Sequence, residues 1–592
     1  MPTIASSQPD TGPAGRAPAV RRELLAAAVA YAALTLLATW PVARSFADHV
    51  PGGDWWGSRR LYSEAPVNLW NLWWFRHALV DLGQTPFTCR YLFYPFGADL
   101  VLHTLAPLHG AVALPLQRVL PLAAVQNTLL ILDFVAGGTL TFALGRRLGL
   151  RADAAFLAGA IFSFAPAIFA HLWVGHYELV AAFWLPAVLL LFLHVVESAS
   201  PGPGAAVALG SVWAASAYSS FYYALYGVEL LVAVAALRWR RVFRRAALPW
   251  LALSAFVGLA GVGPLAAALA HRQAALERSA PQDLEAYSGD LFGALVPSFT
   301  HPLLGPLLRP LHERLNSVPP GLPQETTIYL GLSAIGLALF GLSRRDGAWP
   351  HGRWLAGIVG IFWVLSLGSR LKLLGAVTAI PLPAALLGGL PLAAGARASG
   401  RHIVVAMLAL GLLAGWGWQA LRRPVARAAV LALLGFEYLA VPLPMFSTAV
   451  PDVYRRLAAL TEKFAVLELP YGVRDGSGQL GKPDSAQIFA QTFHEHPTTA
   501  GMVSRLPMRT WEEIASAPVL GTLLHPRGAT RVAFERDLRL GPEFFARWHI
   551  AAILVHPPAR GGAEQAYLER VLPIRGRESF SDGSELLWVG VP

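Results

Sequence analysis

The sequence predicts a polytopic, all-α membrane bundle of about eleven spans, with a large first loop outside the membrane and a small soluble α/β domain at the C-terminus. Three observations carry this expectation. Of 592 residues, 55% are hydrophobic and only 14% charged, whereas soluble domains hold about a quarter charged. Apolar runs of about 17–24 residues recur up to residue 445, the length that crosses a hydrocarbon core. After Met445 no run of that length occurs, and short apolar stretches alternate with polar, Gly- and Pro-marked segments.

Residues 1–22 are rich in Pro, Gly, Ser and Ala and read as a disordered cytoplasmic terminus. Arg21 and Arg22 precede an apolar run over roughly 24–43, long for a secretory segment, which reads as an uncleaved signal anchor. Further spans are expected near 124–144, 153–170, 178–195, 205–219, 220–237, 247–270, 327–343, 353–368, 403–421 and 426–445, giving a membrane section 23–445. The positive-inside rule orders them. With the N-terminus cytoplasmic, alternation puts Arg146, Arg147, RWRRVFRR (238–245), Arg344, Arg345, Arg422 and Arg423 inside. The net charge of +11 is thus a topology signal, not a polyanion surface. Two choices are required. Residues 104–120, interrupted by Pro107 and Pro115, form an interfacial or re-entrant helix, and 205–237 turns back at YSSFYY (218–223). The outer face then collects the loop 46–123, HLWVGHYE (171–178), the loop 271–326, residues 369–402 and the domain 446–592. In that domain KFAVLELP (463–470), HIAAILVHP (549–557) and ELLWVGVP (585–592) read as buried strands.

The outer face also holds the candidate chemistry. Glu64, six residues before Trp70, is either a general base at the membrane surface or a helix N-terminal carboxylate with Ser63 as cap and Pro66 in the first turn. Asp54, in PGGDWWGSRR, is a second acid, or plain turn chemistry. Trp55, Trp56, Trp70, Trp73 and Trp74 suit an interfacial aromatic belt or a stacking surface. His171, His176 and Glu178 are candidate substrate ligands, their spacing matching no standard zinc motif; His103 and His109 flank the proposed re-entrant helix. Asp290, in YSGDL, and Glu325, before TIYLGL, sit in a loop long enough to be functional. Arg397 and Arg401, in GARASGRH, would suit a lipid phosphate, or snorkel to the headgroups. Asp133, Glu229 and Glu437 fall within expected spans, where an acid is costly, and no basic partner is visible at their depth. Cys89 is the only cysteine, which excludes an intrachain disulfide and a Cys-based metal site. No DxD pair stands in the first loop, so a divalent metal is possible but not indicated.

Taken in order, these pieces resemble the bacterial GT-C glycosyltransferase superfamily, in particular its YfhO-like and RgtA/B/C/D-like membrane proteins of glycosyltransferase 39 type. The matching pieces are Glu64 with Trp70, the following LWWF and TPF, LFYPFGADLVLHT, Asn127, HLWVGHYELVAAFWLP, SSFYY, YSGDL, Glu325 with YLGL, RASGRH, LELP and QTFHEHPTTAGMVSRLP, over roughly residues 24–510. The resemblance implies a multi-span enzyme of the bacterial plasma membrane with an essential acid in its first extracytoplasmic loop. It implies a polyprenyl-phosphate sugar donor as co-substrate, a glycan, lipid or protein acceptor outside the cytoplasm, and no nucleic acid. Carried over, Glu64 becomes the base and Arg397 or Arg401 the cation for the departing phosphate. Such proteins usually carry Asp where this chain has Glu64, which keeps Asp54 in play. A flippase of lipid-linked glycans, favoured by the intramembrane acids, and a non-catalytic envelope-assembly protein are the competing expectations.

Overall fold

The computed structural model describes residues 13–53, 63–270, 272, 285–319, 321–344, 349–387, 398–476, 478–525 and 530–590. Asp54, Trp55, Trp56 and Arg397 lie outside these residues. A helix, whole or broken, stands at every expected span. Among the described residues, five are long and apolar enough to cross a membrane: Leu122–Arg147, Ala152–Trp173, Tyr177–Glu197, Leu248–Ala270 and Ser399–Ala420. Others are shorter. Leu332–Ser343 and Gly352–Ser366 have 12 and 15 residues, about 18 and 22 Å of helix against a core of about 30 Å. The helices agree with the expectation, while the full count of spans rests on the charge pattern alone.

Both topological choices have structural counterparts. Pro107–Leu116 is a helix of 10 residues, about 15 Å long and too short to cross. Ser220 is extended, at φ −153° and ψ 122°, and separates Pro203–Ser219 from Phe221–Leu237. Ile403–Ala420 forms the axis of the bundle, its residues from Ile403 to Gly415 all buried. It packs against Ala152–Ser163, Leu332–Ser343 and Gly352–Ser366. Leu248–Ala270 is the opposite case, with only Ser254 and Gly258 buried, so its apolar surface is left for lipid.

The intramembrane acids all have partners, contrary to what the sequence suggested. Asp133 Oδ2 lies 3.3 Å from His109 Nε2, whose Nδ1 is 3.3 Å from Ser219 Oγ. Glu229 Oε2 lies 3.1 Å from His402 Nε2. Glu437 accepts the Ser333 backbone N–H and hydroxyl, capping Leu332–Ser343. Each partner comes from a different helix, where only the folded bundle can supply it.

Outside the bundle, the three expected strands appear as Ala465–Leu469, Ile550–Val555 and Glu585–Val589. A fourth, Ile574–Ser579, was missed; its alternation of half-buried and exposed residues marks a polar edge strand. The sheet order is 574–579, 585–589, 550–555, 465–469, with only the last pair parallel. This section is no free-standing unit. Its core is continuous with the first loop: Trp70, Trp74, Leu92 and Phe93 share one cluster with Leu467, Ile553 and Leu587. His49–Pro51 pairs with Met445–Ser447, and Phe93 and Tyr94 bond to Ala500 and Thr498.

Candidate functional site

Glu64 occupies the N-cap position of Ala65–Arg76, with Pro66 in the first turn, but its carboxylate caps nothing; Ser63 Oγ accepts the Ala65 N–H instead. The backbone explains its placement. Glu64 N–H donates to the Val174 carbonyl at 2.8 Å, and Asn68 Nδ2 donates to Gly175 at 2.8 Å and to the Glu64 carbonyl at 3.2 Å. The first loop is thereby fastened to the HLWVGHYE turn. Gly175 makes the approach possible: φ is +84°, and a Cβ there would come 2.4 Å from Ala65 N. Gly175→Ala should cost about 1–3 kcal/mol of stability, more if the turn cannot retreat, as read by thermal unfolding in detergent.

From Glu64 a line of charged groups runs inward. His176 Nε2 is 3.4 Å from Glu64 Oε2, and its Nδ1 is 3.1 Å from His171 Nδ1 and 3.9 Å from Glu325 Oε1. Arg401 grips both Glu325 oxygens, Nε at 2.7 Å and Nη2 at 2.6 Å, and lies over the Tyr222 ring at 4.3 Å. Glu64 is half-buried and the most exposed of the four, its side chain 38% exposed against 13% for Arg401, 8% for His176 and 5% for Glu325. Burial opposes a charge on His176, but the carboxylates of Glu64, Glu325 and Glu178 outweigh it and lift the imidazole to about 9. Burial would likewise raise Glu64; His176 and then Arg474 outweigh it and hold the carboxyl well below its usual range. At Glu325 burial is outweighed by Arg401 and the two histidines, again leaving an ionised acid.

Glu178 is buried beside this line, and its Oε2 is without a hydrogen-bond partner among the described residues. His171, His176 and Glu325 each present one ligand atom, all within 4.8 Å of one another. The 3.1 Å between the two Nδ1 atoms is near the edge of a tetrahedral site, about 3.3 Å for metal–nitrogen bonds of about 2.0–2.1 Å. The 3.9 Å from His176 Nδ1 to Glu325 Oε1 is wider than that edge, and the two imidazoles stand at hydrogen-bond distance from each other, so the three groups are candidate ligands by proximity only.

Other candidates serve elsewhere. His103 accepts the Ser504 N–H on Nδ1 and lies 2.9 Å from Asn71 Oδ1 through Nε2, joining the first loop to the C-terminal section; burial lowers it to about 4, so it is neutral. Asp290 accepts the N–H groups of Phe292 and Gly375, tying the 271–326 loop to the hairpin 370–381. Trp70, Trp73 and Trp74 form neither a belt nor a stacking surface: all three are buried, Trp70 and Trp74 stack at 5.5 Å, and Trp70 donates to Gln491 at 2.7 Å, while Trp55 and Trp56 lie outside the described residues. Arg401 does not snorkel, being 13% exposed in its side chain. Two site residues were not foreseen. Tyr222 stood in the SSFYY turn, where an aromatic reads as interfacial; Arg474 lies in the C-terminal section, in a strand with no marking motif.

A family model described as "Domain of unknown function (DUF6311)" matches residues 70–436. No curated protein sequence matches the chain. Among solved structures, the arabinofuranosyltransferase AftD from Mycobacteria is 15% identical at a TM-score of 0.56, over 97% of this chain and 40% of its own. ArnT from Cupriavidus metallidurans in the apo state is 14% identical at 0.48, over 97% and 98%. The chain thus has the fold of GT-C membrane glycosyltransferases and spans about two fifths of the length of AftD.

Proposed function

The chain belongs to the DUF6311 family, and we propose that it is a membrane glycosyltransferase that moves a sugar from a polyprenyl-phosphate donor to an acceptor outside the cytoplasm. One observation supports this above the rest. In a glycosyltransferase fold, four separate segments converge on the series Glu64, His176, Glu325, Arg401, whose most exposed member is a carboxylate. The bond from the sugar's anomeric carbon to the phosphate breaks, the acceptor oxygen bonds to that carbon, and the acceptor proton passes to Glu64. Being held ionised, Glu64 always accepts the hydroxyl hydrogen bond. As a weak base, it takes the proton only once positive charge develops on the attacking oxygen. Arg401, already neutralised by Glu325, can stabilise the departing phosphate only in part.

The flippase reading loses its support, since Asp133, Glu229 and Glu437 each engage a local partner. The test is reconstitution of the full chain with radiolabelled polyprenyl-phosphate pentoses and hexoses and envelope from a strain lacking the protein. Label should move from lipid to a water-soluble or polymeric product. Label that stays on the lipid throughout would defeat the proposal.

A further inference from the structure

Helix Phe221–Leu237 carries Tyr222, Tyr226 and Glu229 at i, i+4 and i+7, on one face. All three meet the turn Ser399–His402. The Arg401 guanidinium is 4.3 Å from the centre of Tyr222, the His402 ring 4.6 Å from that of Tyr226, and His402 Nε2 3.1 Å from Glu229 Oε2. Two adjacent basic residues thus face opposite ways, Arg401 toward Glu325 and His402 toward the bundle. On the outer side the turn has no slack: Gly400 N–H donates to Tyr287, and a Cβ on Gly400 would come 2.1 Å from the Glu325 carbonyl. Its inner side rests on His402.

The hydrogens on that ring can be counted. His402 Nδ1 lies 2.8 Å from the Ser399 carbonyl, which can only accept, so Nδ1 carries a hydrogen. Nε2 lies 3.1 Å from the Glu229 carboxylate as a close polar contact that is not aligned as a hydrogen bond.

We infer that Glu229 is a positioning residue: through His402 it fixes the Ser399–His402 turn and so sets Arg401 where a lipid phosphate is received. The last step rests on the glycosyl-transfer reading; the mechanical coupling does not. Two measurements on the full-length protein separate them. In nanodiscs, a sugar-free synthetic polyprenyl monophosphate is titrated into wild type, Glu229→Leu and Glu229→Gln. Leucine can neither donate nor accept, whereas the glutamine amide can donate to a bare Nε2 and keep the contact. The dissociation constant should rise about tenfold or more for Glu229→Leu and stay within about threefold of wild type for Glu229→Gln. Equal affinities in all three proteins overturn the inference, as does an equal loss in both variants, which would make charge and not placement the cause. If wild type itself does not bind the lipid, the glycosyl-transfer reading fails, and thermal unfolding decides the coupling alone. Glu229→Leu and Arg401→Met, combined, should shift the midpoint by other than the sum of their separate shifts; additive shifts overturn the inference.

Discussion

Glu64→Gln should abolish most sugar transfer, by about 10²–10⁴-fold, while leaving the amount of folded protein in the membrane unchanged. Its exposure separates these effects. Glu64 is the most exposed member of the charged series, and its backbone contacts to Val174 and Asn68 do not involve the carboxylate. Glutamine keeps the shape and the contact with His176 but cannot accept a proton. Glu64→Asp keeps the charge one methylene short and should retain part of the activity, with a weaker hold on His176. Initial rates of label transfer, normalised to protein measured by fluorescence-detected chromatography, check both. Undiminished transfer in Glu64→Gln would remove the base from the mechanism and leave the carboxylate as the partner of His176 only.

Four charged members of the candidate site stand out in the sequence, but neither their pairing nor Tyr222 and Arg474 do. Glu64, His176, Glu325 and Arg401 stood out because each is a polar residue beside an apolar run, where a charge needs a reason. Glu325 and Arg401 are 76 residues apart, and Trp70 and Gln491 are 421 apart. Periodicity carries no information on such contacts. Hydropathy says that a side chain avoids water but not whether lipid or protein covers it, which is why Trp70, Trp73 and Trp74 suggested an interfacial belt and proved to be core. The same blindness hid His109 and His402 as partners of Asp133 and Glu229, since a histidine on another helix has no sequence relation to the acid it meets. Ile574–Ser579 escaped because a strand exposed on one face lacks the apolar run that marked the other three.

The largest effect on stability is expected at Glu325. Glu325→Leu strands the Arg401 guanidinium in a site where its side chain is 13% exposed, and breaking a buried pair from one side costs about 3–5 kcal/mol. Adding Arg401→Met should recover most of that loss, since no unpaired charge then remains, although activity should not return. The pH dependence distinguishes the two inner members of the series. Glu325 is depressed below its ordinary value of 4.5, so its contribution is present above that value and lost as pH falls through the folded one. His176 is raised from 6.5 to about 9, so its contribution is complete below 6.5 and disappears as pH rises through about 9. Both act in full only between 4.5 and 6.5, where stability should be greatest. His176→Gln should flatten the alkaline decline and match wild type above about 9, while being less stable at pH 6. Thermal midpoints across this range, with a chelator present so that no cation competes for the imidazole, read both limbs. An alkaline limb that survives His176→Gln would place the titrating group elsewhere.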